Sequence, residues 1–221
     1  MPTPYTHLKH RINEFEKKYA RAENSVQLLA VGKNQPIEKL LSLYSEGQRA
    51  FGENYLQEAL QKIPNLPQDI IWHFIGPIQS NKTRKIAEHF SWVHSVASFN
   101  IAKRLSEQRP NHLPPLNICI EVNVDQEESK SGVSISDVAK LVAECLTLPN
   151  IHVRGLMTIP AATDDFTKQC LAFKKLAEIS HNLPNIDTLS MGMSNDLEAA
   201  IKEGATFVRI GRALFSGTSS S

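Results

Sequence analysis

This 221-residue chain has few cysteines, and their small number excludes several classes of protein. The three cysteines, Cys119, Cys145 and Cys170, are isolated and lie in apolar strand or helix patterns. No two of them have the spacing of metal ligands, and the eight histidines form no zinc-like cluster. We therefore expect reduced thiols in the core of a cytoplasmic protein, with no disulfide framework and no metal site.

Neither charge nor hydrophobicity is concentrated anywhere along the chain. The formal net charge is only +1 and the basic residues are scattered, so nothing favours a nucleic-acid or anionic-membrane partner. No apolar stretch approaches the length of a membrane span, and the N-terminus lacks the apolar core of a signal peptide. The serine-rich end, residues 216–221, is expected to be a disordered tail.

Short apolar runs alternate with helical patterns, and no linker divides the chain into domains. The runs lie near residues 26–32, 49–52, 70–75, 92–96, 116–122, 151–156, 186–190 and 206–210. The helical patterns lie near residues 5–21, 36–46, 53–62, 80–89, 98–108, 134–146, 164–181 and 194–203. Eight strands separated by helices predict one α/β domain over residues 1–221. A closed (β/α)8 barrel suits this count, and an open doubly wound sheet is the competitor.

Polar and glycine residues follow the predicted strands in a regular way. In chain order they are Lys33, Glu53 with Asn54, His73 with Gly76, Ser95, Asn123, Met157 with Thr158, Met191 with Gly192, and Arg209 with Gly211. Each position is at the carboxyl end of its run, which is where barrel enzymes place their sites. The sequence therefore predicts a site at the carboxyl-terminal mouth of the barrel, assembled from many strands.

Lys33 ends the first apolar run, at a position that suits imine chemistry. Desolvation lowers the pKa of a lysine and makes its amine nucleophilic toward aldehydes, as Schiff-base formation requires. The alternative is a lysine stem that leaves the strand with its ammonium group in water.

Two loops near the C-terminus have the features of a phosphate site. Ser194 stands at a predicted helix N-cap, which would leave the amides of Asn195 and Asp196 free to bind an anion. Gly211 follows the last strand and lets the backbone approach a ligand. Barrels commonly bind phosphate after strands seven and eight. The alternative is that Ser194 only caps a helix and Gly211 only turns the chain.

An imine-forming lysine together with a phosphate site indicates either pyridoxal 5′-phosphate (PLP) or a lysine-dependent aldolase acting on a sugar phosphate. Arg209 favours PLP, because a guanidinium could donate a hydrogen bond to the pyridine nitrogen and keep it unprotonated. Such a ring is a weaker electron sink than one paired with aspartate. The alternative for Arg209 is a salt bridge inside the barrel mouth.

Seven groups of motifs, in unbroken order over nearly the whole chain, resemble the YggS/PROSC-type pyridoxal phosphate homeostasis proteins. They are Leu29-Ala-Val-Gly-Lys33, Phe51-Gly-Glu-Asn-Tyr55, Trp72-His-Phe-Ile-Gly76 with Gln79-Ser-Asn-Lys82, Glu121-Val-Asn123 with Lys130-Ser-Gly132, Arg154-Gly-Leu-Met157, Met191-Gly-Met-Ser194 with Asp196, and Val208-Arg-Ile-Gly211. As a set they are highly specific, whereas any one of them alone would be weak.

The resemblance implies a single barrel like the N-terminal barrel of alanine racemase (PLP fold type III), without the second β-rich domain of the racemases. It implies an aldimine between PLP and Lys33, with Arg209 facing the pyridine nitrogen. The phosphate would be held by Ser194, Asn195, Gly211 and Arg212, and the ring pocket would be lined by Asn54, His73, Ser95 and Met157. Three positions depart from the family pattern: Gly32, where the family would have serine, Asn34, where it often has threonine, and Ser216, which interrupts the usual Phe-Gly ending.

The expected function is to hold or transfer PLP in intracellular vitamin B6 homeostasis, with little or no turnover. Two-base racemisation needs a group on each face of the imine, and only Lys33 can be nominated. Tyr55, the one tyrosine near the expected site, is expected to pack against its own helix. The alternative is a small fold-type III enzyme, an amino-acid racemase or lyase. Apo PLP-dependent enzymes are the candidate recipients of the cofactor, and the protein is expected to be a monomer.

Overall fold

The fold is a closed barrel of eight parallel strands in sequence order, as described by a computed structural model for residues 2–125 and 131–215. The strands are β1 Gln27–Val31, β2 Ala50–Glu53, β3 Ile71–Phe74, β4 Trp92–Val96, β5 Leu116–Glu121, β6 Ile151–Met157, β7 Thr188–Ser190 and β8 Phe207–Ile210. Because β1 pairs with β8 along four register positions, the sheet has no open edge. The predicted barrel is confirmed, and the open doubly wound sheet is excluded.

Helices lie between the strands as the sequence pattern predicts. They are α1 Pro4–Lys18, α2 Ile37–Ser45, α3 Leu56–Lys62, α4 Thr83–His89, α5 Phe99–Gln108, α6 Val138–Cys145, α7 Phe166–His181, α8 Leu197–Lys202 and α9 Arg212–Phe215. The opening helix begins at a Thr3 N-cap, whose side chain accepts the Thr6 amide, with a proline in the first turn. The short α9 follows the last strand and was not predicted.

The core lies mainly between the barrel and its ring of helices. Fully buried side chains such as Phe51, Phe90 and Phe173 fill this layer. A smaller apolar cluster forms around Leu29, Ile75 and Phe207. Burial on both faces explains why the strands have nearly continuous apolar sequences rather than alternating ones.

Closure of the barrel decides which loops are neighbours at its carboxyl-terminal mouth. Ala30 of β1 pairs with Ile210 of β8, and Ser190 of β7 pairs with Phe207 of β8. The loops that follow β7, β8 and β1 therefore lie side by side. Of the two predicted phosphate loops, the one after β8 is consequently next to the loop that carries Lys33, and the one after β7 is one strand further along the sheet.

The three cysteines are buried and unpaired, as expected. Within the described residues, no helix is both long enough and apolar enough to cross a membrane. The predicted disordered tail at 216–221, the departure at Ser216 and the motif residue Lys130 all lie outside the described residues.

Candidate functional site

Lys33 lies in the turn after β1, two residues beyond its last strand residue, and its side chain is exposed. Its Nζ atom lies 6.0 Å from the centre of the Tyr55 ring, which follows β2. The expected desolvation of this lysine is therefore wrong for the structure described here. The ring of Tyr55 is 52% exposed, so it borders the amine rather than being buried against its own helix.

The turn that carries Lys33 also explains one departure from the family pattern. The Gln35 amide donates to the Gly32 carbonyl at 3.0 Å, which places Lys33 and Asn34 at the two central positions. Asn34 has a φ of 58°, a left-handed conformation that asparagine tolerates and that is costly for a β-branched threonine. Asparagine is thus suited to this turn.

The loop after β7 differs from the prediction at the start of its helix. The helix α8 begins at Leu197 with Asp196 as its N-cap, so Ser194 is not the cap. The Asp196 carboxylate accepts the Met193 amide at 2.5 Å and closes a tight turn over residues 193–196. Burial raises the pKa of Asp196, against the effect of that hydrogen bond. Ser194 and Asn195 remain exposed at the tip of the turn.

The loop after β8 lies directly beside β1. A Cβ atom on Gly211 would be 3.6 Å from the Cβ and carbonyl oxygen of Val31, an ordinary contact. Arg212 is exposed and begins the four-residue helix α9. The four predicted phosphate ligands, Ser194, Asn195, Gly211 and Arg212, are thus on the neighbouring loops after β7 and β8, and the loop after β8 lies next to the turn of Lys33.

Arg209 is buried inside the barrel at the end of β8. Its Nη1 donates to Ser190 Oγ at 2.8 Å and its Nη2 donates to the Thr158 carbonyl at 2.9 Å. Burial lowers the pKa of Arg209 to about 10, so the guanidinium stays charged at neutral pH. The nearest acidic groups, Asp196 and Glu121, act through space to raise that pKa. No salt bridge to Arg209 occurs among the described residues, which removes the ion-pair alternative for them.

A chain of hydrogen bonds extends from Arg209 down the barrel axis. Ser190 Oγ lies 2.7 Å from His94 Nδ1, and His94 Nε2 lies 2.9 Å from His73 Nδ1. Since an arginine can only donate, we assign Ser190 as acceptor from Arg209 and donor to His94, which then donates to His73. Burial lowers the pKa of His73 to about 3 and that of His94 well below 6.5. Both imidazoles are therefore neutral.

His73 does not reach the mouth, contrary to its expected place in the ring pocket. It is the third residue of β3, stacks on Trp92 at 5.5 Å between ring centres, and is 1% exposed. It borders a cavity of about 450 Å³ at the opposite, amino-terminal end of the barrel, together with Gln27 and Arg154. Hydrogen bonds through His94 and Ser190 connect His73 to Arg209 near the mouth.

The remaining predicted ring-pocket residues are at or near the carboxyl ends of their strands. Asn54 follows β2 and is half-buried, and Met157 ends β6 and is buried. Ser95 is buried in β4, where its hydroxyl donates to the Gly76 carbonyl at 2.5 Å. A Cβ on Gly76 would approach the Asn54 carbonyl oxygen to 2.0 Å. The loops after β2 and β3 and the end of β4 are therefore tightly joined on this side of the mouth.

Sequence reasoning missed His94 and Ser190, and it placed Thr158 at a strand end without linking it to Arg209. His94 lies two positions after Trp92 in β4, so its side chain shares the inward face with that residue. Strand alternation could have placed His94 inside the barrel, but Ser190 carried no distinguishing signal.

Within the described residues, no group of three or more histidine, cysteine, aspartate or glutamate side chains could hold a metal ion. The polar groups around the mouth include an amine, guanidinium groups, hydroxyls and backbone amides. These are donors suited to an anionic, carbonyl-bearing ligand.

Comparison with known proteins identifies the class and the family. Residues 5–219 match the family model of the alanine racemase N-terminal domain. A pyridoxal phosphate homeostasis protein of Pseudomonas aeruginosa is 55% identical over 209 residues, covering 93% of this chain and 90% of that protein. Another from Vibrio alginolyticus is 50% identical over 218 residues, covering 95% and 94%. The structure of PipY from Synechococcus elongatus with PLP bound has a TM-score of 0.76 and 36% identity, covering 92% of this chain and 99% of that one.

The fold and the matched domain place the chain in the class of alanine racemase N-terminal barrels. Within that class it belongs to the family of pyridoxal phosphate homeostasis proteins, the family that its sequence motifs resemble.

Proposed function

We propose that this protein binds PLP through an imine with Lys33 and holds or transfers the cofactor in intracellular vitamin B6 homeostasis, with little or no turnover. The observation that carries the proposal is the juxtaposition of three loops by barrel closure. The turn of Lys33 lies beside the loop of residues 211–212, which in turn lies beside the loop of residues 193–196, and Arg209 is buried beneath them. These groups match the aldehyde, the phosphate and the pyridine nitrogen of PLP.

Covalent attachment requires only the amine. The Lys33 Nζ adds to the aldehyde carbon, and water leaves as the C=N bond forms. When bound, PLP supplies an electron sink for amino-acid chemistry. The exposed position of Lys33 makes the amine accessible to a ligand that enters from solvent.

The phosphate would be held by the turn of Ser194 and Asn195 and by the start of α9 at Gly211 and Arg212. Two exposed turns contribute backbone amides and one guanidinium, a donor set that suits a dianion. Among the described residues, the backbone amides of Ser194 and Asn195 donate to no acceptor, so they are available to a ligand.

Arg209 supports a carrier rather than a catalyst. Its guanidinium is fixed by Ser190 and Thr158 and keeps its charge, so the pyridine nitrogen it faces would remain unprotonated. An unprotonated pyridine withdraws electrons weakly and stabilises carbanions poorly. Asn54, Ser95 and Met157 would line the ring, and His73 would act through Arg209 alone.

The names of the relatives and the ligand bound in one related structure support the proposal. The matching proteins of two bacteria are named pyridoxal phosphate homeostasis proteins, and PipY was solved with and without PLP. We also propose that the protein is a cytoplasmic monomer and that it delivers PLP to apo PLP-dependent enzymes. Its three buried, unpaired thiols fit a reducing compartment.

The direct test is to incubate the protein with PLP, reduce it with borohydride and locate the pyridoxyl group by mass spectrometry. We expect the adduct on Lys33 and its loss in Lys33→Ala, with the fold unchanged because the side chain is exposed. Lys39→Ala is the matched control, since Lys39 lies nearby on α2 and donates to the Phe215 carbonyl. A covalent adduct that persists undiminished in Lys33→Ala would refute the assignment. A colourless protein that is trapped only with a sugar phosphate would indicate the aldolase instead.

One observation favours the alternative of a small racemase or lyase, namely the Tyr55 ring beside the Lys33 amine. A tyrosine near the imine could act as a second acid or base. However, both groups lie on the adjacent loops of β1 and β2, on one side of the mouth. Robust racemisation of a free amino acid, lost in Tyr55→Phe, would establish the enzyme and overturn the carrier.

A further inference from the structure

A second lysine lies directly beneath the turn of Lys33. Lys62 is the last residue of α3 and is only 5% exposed. Its Nζ donates to the Gly32 carbonyl at 2.7 Å, to Glu53 Oε1 at 2.8 Å and to Glu58 Oε1 at 2.6 Å. An ammonium group has three protons, so all of its donors are used.

Two of these three acceptors hold the backbone of Lys33. The Gly32 carbonyl belongs to the peptide unit that precedes Lys33. Glu58 Oε1 also accepts the amide of Asn34 at 2.7 Å, and that amide belongs to the peptide unit that follows. The ammonium of Lys62 and the carboxylate of Glu58 therefore restrain the chain on both sides of the proposed imine-forming residue.

The third acceptor, Glu53, fills the space under the turn. It is completely buried, and a Cβ on Gly32 would be only 2.6 Å from its Oε1 atom. Its other oxygen has no hydrogen-bond partner in the part of the chain that the structure describes. Burial raises the pKa of Glu53 to about 7, although Lys62 opposes this effect.

A buried cluster of charged groups contributes little net stability. Desolvation of buried ion pairs offsets most of their attraction, and apolar residues of similar volume often stabilise a protein as well. Lys62 donates to the carbonyl that precedes Lys33 and to Glu58, which accepts the amide that follows Lys33. Apolar side chains could form none of these hydrogen bonds. The cluster is therefore better explained by geometry than by stability.

We propose that Lys62 is a positioning residue for Lys33: by joining Gly32, Glu53 and Glu58, it fixes the turn so that the Lys33 amine is presented at the mouth. The inference rests on the proposed function of Lys33 and deepens it. Lys62 acts on the rate of covalent attachment, whereas the phosphate and the ring are held by other loops. Loss of Lys62 should therefore slow attachment and leave noncovalent recognition unchanged.

The test compares Lys62→Met, which keeps the buried stem but removes the ammonium, with the wild-type protein. A second variant, Lys62→Met with Glu53→Gln, removes the uncompensated carboxylate and protects the fold. Lys85→Met is the control, because Lys85 pairs with Glu88 on the exposed face of α4. Three quantities are measured: hydrogen exchange over residues 32–35 without cofactor, the rate of borohydride-trapped attachment of PLP, and affinity for pyridoxine 5′-phosphate, which has no aldehyde.

We expect exchange over residues 32–35 to accelerate about tenfold, because the turn opens more often. The attachment rate should fall about tenfold or more, because the amine is no longer held in a reactive geometry. Affinity for pyridoxine 5′-phosphate should stay within about twofold, and Lys85→Met should behave as wild type.

Unchanged exchange and attachment rates in both Lys62 variants would overturn the proposal. A parallel loss of pyridoxine 5′-phosphate affinity would also overturn it, because the role would then be structural. Failure of the proposed function is distinguishable, since it would appear as an adduct that does not require Lys33. The exchange measurement needs no cofactor and tests the restraint of the turn in either case.

Discussion

Single residues decide the electrostatic character of the barrel interior. Arg209 remains a cation at neutral pH because its pKa, although lowered by burial, is still about 10, and the charges of Asp196 and Glu121 act to raise it. The two histidines below it remain neutral because burial makes an imidazolium costly. The buried guanidinium of Arg209 is therefore hydrogen-bonded to uncharged groups. A second positive charge on His94 would repel it.

This arrangement predicts that acid destabilises the barrel. Below pH 6.5 the unfolded chain binds a proton on each of these histidines, whereas folded His73 stays neutral until pH about 3. The stabilisation is fully present above pH 6.5 and is lost as the pH falls. Each histidine should lower the free energy of unfolding by about 1.4 kcal/mol per pH unit in that range.

Denaturant unfolding between pH 7.5 and 4.5 checks this prediction. The free energy of unfolding of His94→Gln should depend less steeply on pH than that of wild type. The difference should be the contribution of one histidine, about 1.4 kcal/mol per pH unit. His112→Gln, at an exposed position, is the control variant. Carboxyl groups such as Glu53 titrate in both proteins and cancel in the comparison. Equal slopes for His94→Gln and wild type would show that the buried imidazole is not kept neutral by folding.

At the scale of elements, neighbouring strands approach so closely at some positions that only glycine fits. Gly155 in β6 is such a position, because a Cβ there would lie 2.0 Å from the Thr188 carbonyl oxygen and 2.6 Å from its Cβ. Gly211 after β8 is a contrasting position, since the nearest atoms would be 3.6 Å away. Two glycines of the sequence motifs thus have different reasons to be present.

Gly155→Ala should therefore destabilise the barrel by about 3 kcal/mol or more, because β6 and β7 must separate to relieve the overlap. Gly211→Ala should change the free energy of unfolding by less than about 1 kcal/mol. Denaturant titration of both variants gives the comparison. Equal stability of the two would mean that the register of β6 against β7 is not the restraint described here.

The sequence predicted elements better than contacts, for physical reasons that particular residues make clear. The eight apolar runs gave the barrel, because parallel strands covered on both sides need continuous apolar sequence. The start of α8 was placed at Ser194 because serine is a good N-cap, yet Asp196 takes that position. His73 was assigned to the mouth because strand ends are uncertain by a few residues, and a short shift along β3 moves a side chain to a different layer.

Lys33 was identified because a lysine after a buried strand is conspicuous, but its exposure could not be read from the sequence. Lys62 was not noticed, because a lysine at the end of a helix is common. Its three acceptors come from β2, α3 and the end of β1. Only the folded chain brings them together.

At the scale of the whole molecule, barrel closure brings together the loops of the proposed site. Lys33 and Gly211 are far apart in sequence, yet pairing of β1 with β8 places their loops side by side. The helices, the axial hydrogen-bond chain and the Lys62 cluster all support this one mouth. The cavity at the amino-terminal end, beneath His73, is separated from the mouth by the layers of side chains inside the barrel.

A crystal structure of the protein grown with PLP tests the proposed site most directly. We predict continuous electron density from the Lys33 Nζ atom to the cofactor, with the phosphate within hydrogen-bond distance of residues 194–195 and 211–212. Arg209 should face the pyridine nitrogen while it retains its bonds to Ser190 and Thr158. A cofactor bound in the amino-terminal cavity, or a Lys33 side chain directed away from a cofactor in the mouth, would contradict the account.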